Sequence, residues 1–427
     1  MGNLVAGFPC ITNLPSMKKL IFLLPILLLI ITSCEVADKT ANAVAPLPGI
    51  NFDLSSLALS AGTLSPSFVS GTTSYTATVG NSVPRITVTP TAAGGSSVTI
   101  TVSSKTVASG GTSSPINLAA GSNTITTEVS NGNSSKKYTL TITRSATPKL
   151  IFLHHSTGRN WLANADGGLG TALRDNNYFV SDTNYTWGPG SIGDNTDFGN
   201  WWSWFRGSNS STIMSAVYAE TGQNHEGYTY SRLATNPGGP NEIIMFKSCF
   251  PNNDNLAGSS STSSPAIGIN GLKEQDCYSG EHTIQNAKGI YIDLLEYFKT
   301  RQDKLFVAIT APPAQNGTNA ANARAFADWL ANNWLAGYAY KNVVVYDFYN
   351  VLTSKTGSGS NDLGLATGNH HRMLNGTLQH KTNAGANTSS YPTDASDDHP
   401  NQAGNLKATG EFMPVLNHGY NLWLDSK

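Results

Sequence analysis

The sequence predicts two folded modules in series: an all-β sandwich, then a three-layer α/β/α domain built on a parallel sheet. Three observations predict this. Between Leu54 and Arg144, apolar and Thr-rich positions alternate with a period of two and are broken by Gly, Ser and Asn turns. From Lys149 onward, short continuous apolar runs alternate with amphipathic helical stretches, the order that buries a parallel sheet under helices. The chain of 427 residues is long enough for two or three domains, each with its own core.

The first element is a targeting segment over residues 1–33. Met17-Lys18-Lys19 supplies a basic start, and Leu20 to Ile31 is apolar except for Pro25. This run is shorter than the roughly 20 residues a membrane span needs and fits the apolar region of a secretory signal. Met17 is a candidate start, with the preceding residues an upstream extension. The ending Ile31-Thr32-Ser33-Cys34 resembles the lipobox of bacterial lipoproteins. That resemblance implies a diacylated Cys34 at the mature N-terminus and attachment to a bacterial membrane, most naturally the outer membrane, at the cell surface or facing the periplasm. An uncleaved anchor is the alternative, and both place the rest of the chain outside the cytoplasm. Residues 34–53, small, polar and proline-containing, read as a linker.

The second element, residues 54–146, is the sandwich. Its strands are expected at Tyr75–Val79, Arg85–Val88, Val98–Val102, Thr124–Val129 and Lys137–Ile142, paired antiparallel. The phrases LSSLALSAGTLSPSF, TTSYTATV, AAGSNTITTEVS and KKYTLTITR resemble the bacterial cadherin-like β-sandwich module. Such a module implies a spacer or a unit lying close to glycans. The stretch carries no titratable constellation and no calcium-ligand cluster, which favours the spacer.

The third element, residues 148–427, is the α/β domain. Buried strands are expected at Lys149–Leu153, Glu242–Phe246, Lys304–Ile309 and Asn342–Tyr346, with helices over Thr283–Thr300 and Asn319–Trp334. In such sheets chemistry collects at the carboxyl ends of the strands. Charged residues make up only 12% of the chain and the formal net charge is −1, which argues against a nucleic-acid partner. Cys10 and Cys34 belong to the targeting region. Cys249 and Cys277 remain as a pair able to form a disulfide in an oxidising compartment, or as two separate thiols.

Serine needs a base within reach and donors for the oxyanion before it acts as a nucleophile. Ser156 directly follows a buried strand, within His154-His155-Ser156-Thr157-Gly158. A glycine loop follows at Gly188–Thr196, then Ser248-Cys249-Phe250-Pro251-Asn252-Asn253-Asp254 after the next strand, and late in the chain Asp397-Asp398-His399-Pro400-Asn401-Gln402-Ala403-Gly404. These blocks, in this order, resemble those of the SGNH/GDSL hydrolases. The last block matches best, although Ser396 stands where that family has its acid, and His154-His155 replace the Gly-Asp before the serine. The resemblance implies Ser156 as nucleophile and His399 as base, with Asp397 or Asp398 orienting the imidazole or the enzyme working as a dyad. It implies oxyanion donors at Ser156, Gly193 and Asn252, with Asn253 the alternative to Asn252. No cofactor is implied.

His155, Trp202 and Lys247 are expected to line the substrate site, with Ser248 and Arg159 as further lining. Trp201, Trp202, Trp204 and Phe205 could form a sugar-stacking wall or ordinary core. A metal held by His154 or His155 with His370, His371 or His380 is disfavoured, because adjacent residues on a strand point to opposite faces. The combined expectation is a surface-anchored serine esterase that removes acyl groups, acetyl above all, from a polysaccharide. The alternatives are a polysaccharide-cleaving enzyme or lipid esterase on the same scaffold, and a non-catalytic glycan-binding protein.

Overall fold

Nine strands, most of them built on period-two alternation, open the described part of the chain. The computed structural model describes residues 50–427 except 95–96, 226, 228, 262–267, 316, 355–369, 375–376 and 381–386, and except the side chains of 372–374 and 377. The targeting segment 1–33, Cys10, Cys34 and most of the linker lie outside the described residues. The strands are β1 (Leu54–Leu59), β2 (Ser74–Val79), β3 (Arg85–Ile86), β4 (Val88–Ala92), β5 (Thr99–Val102), β6 (Lys105–Val107), β7 (Ile116–Asn117), β8 (Gly121–Ser130) and β9 (Ser135–Arg144). A five-stranded sheet, β2-β9-β8-β5-β6, faces the pairs β1-β4 and β3-β7. Leu54, Val88, Tyr75, Ile100, Val129, Leu140 and Ile142 meet between them in a single core.

Two sequence expectations are corrected here. The run Arg85–Val88 is not one strand: Arg85–Ile86 pairs with β7, whereas Val88 starts a strand that pairs with β1. Pro90 in that second strand lacks an N–H and is tolerated because β4 belongs to a two-stranded ribbon. The sandwich is also not wholly antiparallel, since β2 lies parallel to β9, from Ser74↔Thr139 to Val79↔Arg144.

Four residues after β9 the second module begins. Its strands β10 (Lys149–Leu153), β11 (Phe179–Thr183), β12 (Ile243–Lys247), β13 (Leu305–Ile309) and β14 (Val343–Tyr346) are buried along their whole length. They form one parallel sheet in the order β11-β10-β12-β13-β14. Alternate side chains feed two cores. On one face Ile151, Leu153, Ile244, Phe246, Phe306 and Val345 pack against α3 (Trp201–Phe205), α4 (Ser210–Ala219), α6 (Ile284–Phe298) and α7 (Ala320–Asn332). On the other Leu150, Phe152, Met245, Val307, Val344 and Tyr346 pack against α1 (Thr157–Leu162), α2 (Leu169–Asp175), α8 (Phe348–Leu352) and α9 (Gln402–Asp425). The result is the three-layer α/β/α arrangement.

Helix α5 (Pro251–Asp254) follows β12, and the hairpins β15–β16 (His371–Leu374, Thr377–His380) and β17–β18 (Pro392–Asp394, Asp397–Pro400) precede α9. The strand order reverses direction at β10. The connection from β10 leads outward to β11, and the chain then returns past β10 to β12. A crevice opens at such a reversal, at the carboxyl ends of the two central strands.

Candidate active site

Ser156 stands at that reversal, between the end of β10 and the start of α1. Its backbone is at φ 47°, ψ −106°, a left-handed conformation for a non-glycine residue. Holding it there costs on the order of 1–3 kcal/mol, which the surrounding structure must supply. The tight turn requires Gly158: a Cβ at that position would lie 2.5 Å from the Cβ of His154. A strand, a strained serine and a helix in close contact is the local geometry that presents a nucleophile above a sheet.

His399 arrives from the opposite end of the domain. It lies on β18, and Pro400 and Asn401 follow it into α9, where Asn401 Oδ1 caps the helix by accepting from Gly404 N–H at 3.1 Å. The ring Nε2 is hydrogen-bonded to Ser156 Oγ. Nδ1 is 2.5 Å from Asp397 Oδ1, and the same oxygen accepts the His399 backbone N–H at 2.9 Å. Asp398 faces elsewhere: its Oδ1 accepts the N–H of Gln315 at 2.6 Å, tying the hairpin to the loop after β13. The two open alternatives are thereby separated by geometry. Residues two apart on a strand share a face, and Asp397 shares that of His399. Burial alone would lower the His399 pKa, but the Cys249 thiol and the Asp397 carboxylate outweigh burial and hold it above the ordinary value.

Of the expected oxyanion donors, two are already committed. The Gly193 N–H donates to Trp187 O at 2.9 Å, and a Cβ on Gly193 would lie 2.0 Å from Asn184 O. Gly193 is therefore a packing glycine. The Asn252 amide donates to Asp197 Oδ1 at 2.6 Å and its Oδ1 accepts Phe198 N–H at 2.8 Å, so it braces a buried loop. The alternative, Asn253, donates to the carbonyls of Ala311 (2.8 Å) and Pro312 (3.0 Å). The Ser156 N–H has no acceptor among the described residues.

One residue the sequence reasoning missed is Asn184. It directly follows β11, is fully buried, and neither side-chain amide atom has a hydrogen-bond partner among the described residues. Thr183, one residue earlier, pairs with Leu153 and offers its hydroxyl to His154 N–H at 3.4 Å, so Asn184 lies beside the stretch leading to Ser156. A buried orphan amide is uncommon and calls for an explanation. An asparagine directly beyond a strand end was the signal available for it.

The remaining expected residues divide. His155 reaches the site, stacked on Tyr185 with ring centroids 4.6 Å apart, and burial pushes its pKa down to about 3, so it is neutral. Lys247 is buried at the end of β12, donating to Ser248 O at 3.0 Å, and so does not line a surface that substrate touches. Ser248 is likewise buried and accepts from Trp201 Nε1 at 2.9 Å. Arg159 lies in α1, within three residues of Ser156.

Trp202 is no wall: it packs against the core, with the Lys273 ammonium 3.9 Å above its ring. Trp201, Trp204 and Phe205 are core side chains. The disulfide is also overturned, because Cys249 and Cys277 are both free and buried. Cys249 Sγ instead lies 3.0 Å from Thr157 Oγ1, while Cys277 sits against Asp197.

The histidines weighed as metal ligands sit in different places. His154 Nε2 is 3.3 Å from Asp182 Oδ2, whereas His371 Nδ1 is 3.1 Å from Glu411 Oε2 and His370 Nδ1 is 3.7 Å from Glu411 Oε1. Among the described residues no group of three or more His, Cys, Asp or Glu is placed to hold a metal ion. Nor is any helix among them long and apolar enough to cross a membrane.

Residues 54–145 match the family described as the cadherin-like β-sandwich domain. No curated protein matches the chain.

Proposed function

We propose that the α/β domain is a serine esterase of SGNH type. The single observation that carries this reading is the contact of Ser156 Oγ with His399 Nε2 at the strand-order reversal, with Asp397 on the other ring nitrogen. Ser156 Oγ attacks an ester carbonyl and its proton passes to Nε2. Asp397 fixes the tautomer with hydrogen on Nδ1 and stabilises the imidazolium that forms. The imidazolium then protonates the departing alcohol. Water then attacks the acyl carbon and loses a proton to the same nitrogen; the acyl–Oγ bond breaks, Ser156 takes that proton back and the acid leaves, so the cycle needs no cofactor.

For the oxyanion, the Ser156 N–H and the orphan Asn184 amide are the donors that remain once Gly193 and Asn252 are committed. Donors fixed in advance on the developing charge act strongly in a water-poor site.

The substrate we favour is an acylated polysaccharide. The cadherin-like match over residues 54–145 and the lipobox-like Ile31-Thr32-Ser33-Cys34 both suit a protein tethered outside the cytoplasm, where such glycans lie. This substrate class rests on analogy. The test is release of acetate from acetylated oligosaccharides by purified protein. Catalysed release that disappears in Ser156→Ala supports the proposal, and equal release by the variant refutes it. Shortening of the glycan without acetate release would point instead to a chain-cleaving enzyme.

A further inference from the structure

The turn after β11 carries an aromatic ring that the esterase mechanism does not use. Tyr185 is 37% exposed and stacks on His155, with ring centroids 4.6 Å apart and planes inclined by 21°. His155 immediately precedes Ser156, so the tyrosine ring rests on the residue next to the nucleophile. Its position is fixed by the turn that follows. Thr186 sits at φ 62°, a costly left-handed conformation for a β-branched residue. The Asp194 carboxylate holds it there by accepting Thr186 N–H at 2.9 Å, and Asn184 O accepts Trp187 N–H at 3.2 Å. Gly193 completes the brace, since a Cβ there would lie 2.0 Å from Asn184 O.

With one face against the imidazole, what the ring exposes lies on its other face and its edge. The C–H bonds along one side of a pyranose are weakly positive and match the negative face of an aromatic ring. Around Tyr185 the chain is polar: Asn184 precedes it with an amide that has no partner among the described residues, and Thr186 bonded to Asp194 follows. One apolar face among hydrogen-bonding groups suits a hydroxylated ring. A long acyl chain needs a continuous apolar lining, which this turn does not offer. We propose that Tyr185, seated on His155, is the platform on which a pyranose ring of the substrate stacks, and so selects sugar esters over lipid esters. The proposal rests on the reading of Ser156 as the reacting group. Sugar stacking is thereby assigned to the end of β11 and not to Trp202, whose ring lies under Lys273. Tyr185 is a binding residue and takes no part in the bond changes.

The probes are acetylated xylo-, manno- and gluco-oligosaccharides, with ethyl acetate as an ester that has no ring to stack. In Tyr185→Ala, kcat/KM on the best of these oligosaccharides should fall about tenfold further than it falls on ethyl acetate, and the extra loss should lie in KM. Tyr185→Leu, which keeps apolar bulk without a ring, should lose the same selectivity. Tyr185→Phe, which keeps the ring, should recover most of it. Together the last two variants separate stacking from simple loss of packing.

Equal losses on both kinds of ester, a Tyr185→Leu as selective as wild type, or hydrolysis of ethyl acetate and of none of the three oligosaccharides overturns the proposal. So does a wild type that prefers a long-chain fatty ester and loses that preference in Tyr185→Ala. Should the wild type hydrolyse no ester, the esterase reading fails by itself. Calorimetric titration of the full chain with the same acetylated oligosaccharides then decides the question for Tyr185. Binding should weaken about tenfold in Tyr185→Ala and hold in Tyr185→Phe. No binding, or equal binding by all three proteins, overturns the platform.

Discussion

At the scale of single residues, what the site can do depends on which groups are free to act and which are already bonded. Asp397 and Asp398 are neighbours of the same chemistry, yet only the first accepts from His399. Asp397→Asn should therefore lower kcat by roughly 10⁴-fold through the wrong imidazole tautomer. Asp398→Asn should cost less than about tenfold, and steady-state kinetics on a p-nitrophenyl ester would tell them apart. Because His399 must be neutral to accept the serine proton and its pKa is held above 6.5, kcat/KM should rise with pH through a midpoint above that value. A midpoint below it would show that the Cys249 and Asp397 contacts do not outweigh burial. Asn184→Ala should reduce kcat about 10²–10³-fold with little change in KM, the behaviour of a donor that binds the transition state alone. Strand position and the His-Pro-Asn block singled out Ser156 and His399, and the two side chains do meet in the fold. The sequence could not choose the acid, because Asp-Asp-His resolves only once the segment is known to be a strand with alternating faces. It also misassigned Gly193 and Asn252, since nothing in a motif reveals that an N–H is already bonded.

Secondary elements show the same division between pattern and polar detail. Strands β10, β12, β13 and β14 fall within a residue or two of the apolar runs that announce them, and α6 and α7 lie inside the expected helical stretches. Strand β11 went unannounced. It reads Phe-Val-Ser-Asp-Thr, and its polar half is buried because Tyr230 OH and Asn224 N–H donate to Asp182 Oδ1 at 2.7 and 2.8 Å. Buried polar groups with partners are invisible to a search for apolar runs. The turn that joins β10 to α1 depends on the absence of a side chain at Gly158. Gly158→Ala should force α1 away from His154, destabilise the protein by about 1–3 kcal/mol in urea unfolding, and reduce kcat through a displaced Ser156. Helix α9 is fastened at Glu411, which accepts from His370 N–H at 2.8 Å. Burial would raise the Glu411 pKa, but the bonds to His370 and His371 outweigh it and lower it from 4.5 to about 2. A depressed carboxylate stabilises the fold above its unfolded pKa and ceases to do so as pH falls through the folded value. Glu411→Gln should thus be less stable than wild type at neutral pH, by on the order of 3 kcal/mol. That difference should shrink below pH 4.5; a constant difference would place the effect elsewhere.

Over the whole molecule, residues Ile50–Lys427 form one compact unit despite containing two architectures. The sandwich touches the α/β domain through Asn81, which donates to Asn176 O at 3.1 Å, and through Gly80, where a Cβ would lie 2.8 Å from Asn421 Oδ1. Thr147 Oγ1 adds a bond to Asn177 Oδ1 at 3.1 Å within the short connection. Those contacts fasten the first module to α2 and α9, on the opposite end of the sheet from the carboxyl termini of the strands. The spacer reading from the sequence suits that placement, since the sandwich can carry the crevice without covering it. The two-module plan and its boundary were legible because the hydrophobic period changes sharply near Lys149. The contacts between the modules were not, because they are made by Asn and Gly side chains or their absence, which carry no period. Everything proposed for the α/β domain depends on a single hydroxyl at the reversal point of the sheet, which an organophosphonate probe with peptide mass mapping interrogates. One adduct is expected, on Ser156, and it should be lost in both Ser156→Ala and His399→Ala. An adduct on any other residue, or none on the folded wild-type protein, would contradict it.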